Sequence, residues 1–202
     1  MKTIRKISEN EMIAEFLKAE INSSRFRKKI LNKLKKDKKS KKIVLKPKLS
    51  NQKENQYREQ LLEKVRGFRK NKDLFQNFPK SIVWEKVIIK KNELHKIKYI
   101  NYSYWNKLSN GTRKPSQAAK SIEKGKKVFN VSNVKFYKIL KKIKKGIKFP
   151  LMIFVAKSKK SKIVVLEGHA RLTSYFLEPK HIPKIMQVII GYSNGIGKWE
   201  LY

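Results

Sequence analysis

The chain has 202 residues, 40% of them hydrophobic, so it is long enough to bury a substantial core as one domain with an extension or as two small domains. Its 52 basic and 15 acidic residues give a formal net charge of +37, which favours a polyanionic partner, nucleic acid before an anionic membrane surface. The absence of cysteine excludes disulfides, thiol catalysis and cysteine-ligated zinc.

The N-terminus shows no sign of a targeting segment, because the first ten residues lack the apolar stretch of a signal peptide. The longest uninterrupted apolar run covers residues 151–156, which is too short to span a bilayer. We therefore expect a cytoplasmic protein with no transmembrane segment.

The first 90 residues are expected to form a basic, mainly helical region. Ser8 and Glu11 have the spacing of a capping box, which predicts an amphipathic helix directly after them. Apolar residues at helical spacing predict two more helices, one around 26–34 and one over 55–67. A short strand is predicted at 84–89.

The segment from 25 to 48 is the most basic part of this region, with 13 basic residues and a single acid, Asp37. Its middle, 35–42, has no apolar residue and is expected to be a mobile basic loop. The segment either binds nucleic-acid phosphates or is a solvated connector, and the sequence leaves both open. The candidate nucleic-acid-binding residues are Arg25, Arg27, Lys28, Lys35, Lys36, Lys38, Lys39, Lys41 and Lys42.

Two features in the middle of the chain are candidates for ligand contacts. The segment 99–105 is rich in aromatic residues and is flanked by lysines, a pattern typical of base stacking but also of an ordinary core. The turn 111–116 precedes a helix predicted over 117–124, and its glycine and lysine do not have the spacing of a phosphate-binding loop. Arg113 in this turn is a candidate phosphate contact.

The C-terminal part is predicted to contain a helix, two strands, a second helix and a third strand. The first helix ends at Gly146. The three strands are predicted over 151–156, 162–166 and 186–190, and the second helix directly follows the second strand.

The second of these strands ends in the sequence Glu167-Gly168-His169-Ala170-Arg171, where the chain turns into a helix. A strand-to-helix corner exposes backbone N–H groups that favour anions, and Arg171 adds a two-pronged donor suited to phosphate. Glu167 is a candidate general base, or it orients Arg171 through an ion pair. His169 is a candidate for phosphate contact or for proton transfer at neutral pH, or it is structural.

This order of elements, with its motifs, resembles the fold shared by the amino-terminal domains of ParB proteins and by sulfiredoxin. In that fold a helix is followed by a glycine, a proline, a strand, a hairpin, a second strand and a Gly-x-x-Arg corner, which match Gly146, Pro150 and residues 168–171 here. The acid before Gly168 and the histidine after it make the corner most similar to that of the free serine kinases of this superfamily. The resemblance covers about residues 128–191.

Together, the helical N-terminal region and this resemblance imply an α+β chain. A basic helical region, 1–90, is expected to precede a ParB/sulfiredoxin-like domain, 91–202, with the order helix, strand, strand, helix, strand. The resemblance also implies that Gly168 allows the phosphates of a nucleotide to approach closely. Sulfiredoxin activity is not expected, because the catalytic cysteine is absent. The chain also resembles a family of bacterial proteins that end in a Trp-x-Leu-Tyr tail, and this resemblance gives no information about an activity.

The expected function is binding of a nucleotide or a nucleic-acid phosphate at 167–171, with phosphoryl transfer or nucleotide hydrolysis as the reaction. The catalytic candidates are Glu167 and His169, and the candidate phosphate-binding residues are Gly168, His169, Arg171 and Arg113. Mg²⁺ would arrive with the nucleotide, because no spacing typical of a protein metal site occurs. The alternative is a non-catalytic DNA- or RNA-binding protein. A nuclease is less favoured, because two-metal cleavage requires a carboxylate cluster that the sequence lacks.

Overall fold

Six strands form a single mixed sheet in the computed structural model, which describes all 202 residues. The strands are β1 (Lys2–Ile7), β2 (Val83–Lys90), β3 (Ile97–Lys98), β4 (Met152–Ala156), β5 (Ile163–Glu167) and β6 (Ile185–Tyr192). Their order across the sheet is β1-β2-β6-β4-β5-β3, so β1 and β3 are the edge strands. The pairs β4–β6 and β3–β5 are parallel, and the other neighbours are antiparallel.

Eight α-helices cover the sheet. They are α1 (Glu9–Glu20), α2 (Arg27–Lys36), α3 (Lys42–Leu45), α4 (Gln52–Arg66), α5 (Ser103–Leu108), α6 (Pro115–Glu123), α7 (Val134–Lys144) and α8 (His169–Leu177). Short 3-10 helices lie at Asp73–Phe75, Lys91–Lys96, Pro179–His181 and Asn194–Lys198. The predicted start of α1 is confirmed, because the Ser8 hydroxyl accepts a hydrogen bond from the Glu11 N–H at 3.2 Å. The predicted end of α4 is also confirmed, at Gly67.

The central strands β4 and β5 are almost entirely apolar, and this decides how the helices are layered. All residues of β4 are buried, and every residue of β5 except Glu167 is buried. A strand that is apolar on both faces needs a layer of other elements on each side of the sheet. The helices accordingly lie on both faces.

A separate hydrophobic core fills each side of the sheet. On one side α1 to α4 pack against it, with residues such as Leu17 and Ile153 in the core. On the other side α5 to α8 pack, with residues such as Phe136 and Phe154 in the core. The neighbours Ile153 and Phe154 belong to opposite cores because successive side chains of a strand point to opposite faces.

The structure confirms a fold of mixed helices and strands. The predicted C-terminal order is present as α7, β4, β5, α8 and β6. The N-terminal region is less helical than expected, because it also contributes the edge strand β1. Most residues of β1 are exposed and three are basic, so its sequence has no clear alternation, and pairing with β2 defines it as a strand.

The expected basic loop is shorter than 35–42. The helix α2 extends to Lys36 and α3 begins at Lys42, so residues 37–41 form the connection between them. The strand β2 ends at Lys90 and pairs with β6, so the segments 1–90 and 91–202 share one sheet. Their division into two domains stays a prediction.

Because both segments contribute to one sheet, we expect the chain to unfold in a single cooperative transition. Truncation of a fully buried residue in either segment, Leu17→Ala or Phe154→Ala, should lower the free energy of unfolding by about 2–5 kcal/mol. Both variants should shift the same urea midpoint, followed by circular dichroism and tryptophan fluorescence. The exposed Leu45→Ala is the control and should change it little. Two separate transitions, each shifted by one variant, would instead show two independent domains.

Candidate phosphate-binding site

A cleft of about 750 Å³ opens at the carboxyl end of β5, next to the first turn of α8. Its volume lies within the range of about 300–1,000 Å³ that is usual for small-ligand sites. Its walls come from both helical layers: the ends of α1 and α4, the start of α2, and parts of α5 and α7. Its charged and aromatic lining residues are Glu20, Arg25, Phe26, Lys29, Arg66, Asp73, Tyr102, Trp105, Lys135, Lys138, Glu167 and His169.

Gly168 makes the sharp turn from β5 into α8. Its φ of +106° is in the left-handed region, and a Cβ built on it would lie 2.6 Å from Cγ of Met152, so the position requires glycine. No side chain caps α8, and Gly168, His169 and Ala170 line the cleft. The free N–H groups at the start of a helix favour an anion. The predicted strand-to-helix corner is therefore confirmed, and the structure places it at a cavity.

Glu167 and Arg171 form an ion pair within the wall of the cleft. They lie four residues apart, on either side of Gly168, and Arg171 also donates a hydrogen bond to the backbone carbonyl of Pro150. The side chain of Arg171 is 10% exposed and does not line the cleft. Burial raises the pKa of Glu167, and the charges of Arg171 and Arg66 oppose that rise. The structure thus places Glu167 where it orients Arg171, and it places Arg171 behind the cleft surface.

His169 lies against aromatic rings in the cleft wall. Its ring stacks on Trp105 with the centroids 5.1 Å apart, and its Nε2 is buried without a hydrogen-bond partner. Burial lowers the pKa of His169 to about 3, and nearby cations, chiefly Arg66 and Arg171, act in the same direction. The imidazole is therefore neutral at pH 7. It does not supply a positive charge to a ligand.

Positive charges converge on the cleft from three helical elements. Arg25 precedes α2, Arg66 ends α4 and Lys135 lies in α7. Arg66 pairs with Glu20, with 3.3 Å between Nε and Oε1, whereas Arg25 and Lys135 form no ion pair and contact aromatic rings. Burial lowers the pKa of Lys135, and the charge of Arg25 lowers it further. Like charges held together without a counter-ion favour an anionic ligand.

Glu20, at the end of α1, is a site residue that the sequence did not indicate. It is buried, pairs with Arg66 and lines the cleft. Burial raises the pKa of Glu20 to about 7; the charge of Arg66 opposes this rise and that of Glu167 adds to it. A carboxyl group that titrates near neutral pH is suited to proton transfer. Periodicity gave no signal, because only tertiary packing brings the end of α1 to the β5 corner.

Four further basic lining residues were also missed. Lys29, Arg66, Lys135 and Lys138 belong to helices rich in basic residues, and only the packing of α2, α4 and α7 around the corner distinguishes them. Trp105 lies in the segment for which the sequence left base stacking and core packing open. It lines the cleft and also stacks on the buried Tyr99, with 4.5 Å between ring centroids.

Arg113 lies outside the cleft and holds the last residues of the chain. Its Nε donates a hydrogen bond to the Tyr99 carbonyl at 2.9 Å, and its Nη1 donates one to the Tyr202 carbonyl at 2.9 Å. Its Nη2 contacts the carbonyls of Tyr99 and Leu201. Backbone carbonyls therefore occupy this guanidinium, and the structure gives Arg113 an anchoring position rather than a place in the cleft.

Of the nine basic residues predicted to bind nucleic acid, Arg25 alone lines the cleft. The other eight are exposed along α2 and the connection into α3, and they form no ion pair. The structure contains no group of three or more His, Asp or Glu residues that could hold a metal ion. None of its helices is long and apolar enough to cross a membrane.

Removing one partner of the Glu167–Arg171 pair should destabilise the protein more than removing both. Arg171→Met leaves the Glu167 carboxylate unpaired and should lower the free energy of unfolding by about 3–5 kcal/mol. In the double variant Glu167→Gln/Arg171→Met no charge is left unpaired, so most of that loss should be recovered. Urea denaturation of wild type, single and double variants at pH 7 measures the difference. Equal losses in both variants would contradict a buried, paired arrangement.

Comparison with known proteins identifies no family for this chain: no family model, no curated protein and no solved structure matches it. The residues and geometry of the cleft are therefore the basis for assigning a function.

Proposed function

We propose that the cleft at the carboxyl end of β5 binds the phosphate groups of a nucleotide or of nucleic acid. The main support is that Arg25, Lys135 and the uncapped start of α8 border one cavity, and that neither cation has an acidic partner. A phosphate in the cleft would accept charge-assisted hydrogen bonds from both side chains and from the helix N–H groups. It would also neutralise cations that otherwise repel one another.

The reaction that we propose is phosphoryl transfer or nucleotide hydrolysis. Such reactions depend mainly on positioning and on stabilising negative charge, which the cations and the start of α8 would supply. Glu20 takes the place of Glu167 as the proposed general base, because its pKa of about 7 suits removal of a proton from a hydroxyl group or water. Glu167 and Arg171 instead hold the corner in place.

We also propose that this chain is related to ParB amino-terminal domains and sulfiredoxin. The support for this relationship is the order α7, β4, β5, α8, β6 and the position of Gly168 at the strand-to-helix corner. Mg²⁺ would be held mainly by the phosphates of the nucleotide. Of the three carboxylates of the cleft, Glu20 and Glu167 each already pair with an arginine, which leaves Asp73 as the one carboxylate without an ion pair, so the protein would add few ligands of its own.

A second candidate function is non-catalytic nucleic-acid binding through the basic surface of α2 and the connection to α3. The observation in its favour is that eight of the basic residues predicted to bind nucleic acid are exposed there and form no ion pair. Binding through such a surface weakens steeply with salt and requires no particular residue of the cleft. The two functions therefore differ in which variants weaken binding.

Replacing Lys135 in the cleft should weaken nucleotide binding, and the same replacement of Lys142 on the same helix should not. Lys135→Gln removes a charged donor but keeps much of the side chain that covers Trp105, and affinity should fall about 10- to 100-fold. Lys142 is exposed and does not line the cleft. Calorimetric titration with each nucleoside triphosphate, with and without Mg²⁺ in moderate salt, gives the affinities.

Inorganic triphosphate is the ligand control for that titration. The cleft site is supported if one nucleotide binds more tightly than triphosphate and loses affinity only in Lys135→Gln. If every polyanion binds with equal affinity, and both lysine variants lose affinity equally, the result would contradict the cleft site and support binding through the basic surface.

Glu20→Gln should remove most turnover while nucleotide affinity is largely kept. General base catalysis contributes about 10²- to 10⁴-fold, so release of inorganic phosphate from the bound nucleotide should slow by a factor in that range. In the wild type the rate should rise with pH through about 7, because the carboxyl group of Glu20 is a base only when deprotonated. Glu63→Gln, in the surface pair with Lys70, is the matched control. An unchanged rate in Glu20→Gln would rule out this role.

A further inference from the structure

A row of lysines continues outward from the cleft along α7. Lys135 and Lys138 line the cleft. Lys142 lies seven residues after Lys135, and Lys145 lies seven residues after Lys138. Seven residues are close to two helical turns, so Lys142, and Lys145 directly after the last residue of α7, lie on the same side as Lys135 and Lys138, about 10.5 Å further along the helix axis. Both are exposed, and neither forms an ion pair. We call these four residues the α7 row.

The helix α2, which also borders the cleft, repeats this arrangement. Lys29 lines the cleft, and Lys36 follows it after seven residues, exposed and without an ion pair. A single nucleotide bound at the corner would hold its phosphates in the cleft. It would leave Lys36 and the outer α7 row, which is Lys142 and Lys145, without a ligand. A ligand with phosphates repeated along a chain would meet both positions in the cleft and positions beyond it.

The aromatic wall of the cleft provides a surface for an unpaired base. Trp105 is nearly parallel to Tyr99 and to His169, with centroid distances of 4.5 and 5.1 Å. The rings of Tyr99 and His169 are only 6.0 Å apart. Rings on opposite faces of the indole would be separated by at least about 7 Å, twice the contact distance of about 3.5 Å. Both rings therefore cover the same face of Trp105. The indole is only partly buried and lines the cleft, and Nζ of Lys135 also lies near it, 5.8 Å from the ring centroid.

We propose that the cleft binds a single strand of nucleic acid, and that a free nucleotide occupies only one position of this longer site. One nucleotide occupies the cleft with its phosphate near Lys135 and the start of α8 and its base against Trp105, and the neighbouring phosphates lie along the outer α7 row and near Lys36. An unpaired base is required because paired bases of a duplex do not offer a free face for stacking. This inference rests on the proposed phosphate-binding function of the cleft and names its substrate class.

The test uses the full chain and ten-nucleotide single strands of DNA and of RNA, labelled at one end and followed by fluorescence anisotropy over a range of salt concentrations. The row variant is Lys142→Gln/Lys145→Gln, and the cleft variant is Lys135→Gln. The charge-matched control is Lys2→Gln/Lys6→Gln in the edge strand β1. That strand is separated from β5 by four strand spacings, or about 19 Å, and these two lysines are exposed.

We expect the cleft variant to weaken both the oligonucleotide and a nucleoside triphosphate, and the row variant to weaken the oligonucleotide alone. Loss of two phosphate contacts should reduce the slope of log affinity against log salt by about 1.4 for a single strand. The control variant should change neither affinity nor slope. Excess nucleoside triphosphate should displace the oligonucleotide.

Three results would overturn the inference: equal effects of the row and control variants, equally tight binding of a ten-base-pair duplex, or oligonucleotide binding that Lys135→Gln leaves unchanged. In the first two cases the cleft site for a nucleotide still stands if Lys135→Gln weakens triphosphate binding. A separate result would contradict the proposed function itself: an affinity for nucleoside triphosphate that Lys135→Gln leaves unchanged.

Discussion

Burial of the central strands on both faces is the constraint on which the candidate site depends. Because β4 and β5 expose no polar face, one helical layer from each part of the chain must pack against the sheet. The corner that follows β5 lies at the end of this sandwich, and residues of both layers meet there. Glu20 and Arg66 arrive from one layer and Lys135 from the other. The cleft is thus a consequence of how the sheet is covered.

The shortage of acidic residues explains why this cleft is electropositive. Two of its three carboxylates are paired with an arginine, Glu20 with Arg66 and Glu167 with Arg171, and only the exposed Asp73 forms no ion pair. Desolvation makes an unpaired buried charge costly, so the less exposed carboxylates are the paired ones, and neither Arg25 nor Lys135 has an acidic partner. A chain with 52 basic and 15 acidic residues offers few other counter-ions at its surface. An anionic ligand is the remaining source of negative charge.

The paired and unpaired groups have different tasks in the function we propose. Arg171 ties the corner to Pro150 and to Glu167, so its charge maintains the geometry of the wall. The cations that lack partners face the cavity and are free to bind phosphate. The exposed basic surface and the proposed catalytic cleft could act on the same ligand. The surface would bind the phosphates of a nucleic-acid strand, and one nucleotide of that strand would enter the cleft. The net charge then serves the same ligand as the cleft.

By itself, the sequence determined most of the local structure and the location of the corner. Apolar runs, the Ser8 cap and the glycines at 67 and 168 predicted six of the eight helices, the central strands and the strand-to-helix turn, because these signals act between residues close in the chain. The short helices α3 and α5 were not predicted. It did not indicate β1, whose pairing with β2 spans some eighty residues of sequence.

Only the tertiary structure decided which of the 52 basic residues belong to the site. It placed Arg113 on backbone carbonyls and Arg171 behind the wall, and it brought Arg66 and Lys135 to the cavity. It also buried Glu20 beside Arg66, which raises the pKa of that carboxyl group. Burial and charge proximity depend on packing between segments that are distant in the sequence. The sequence of a basic helix does not show which of its lysines will lie in a cleft.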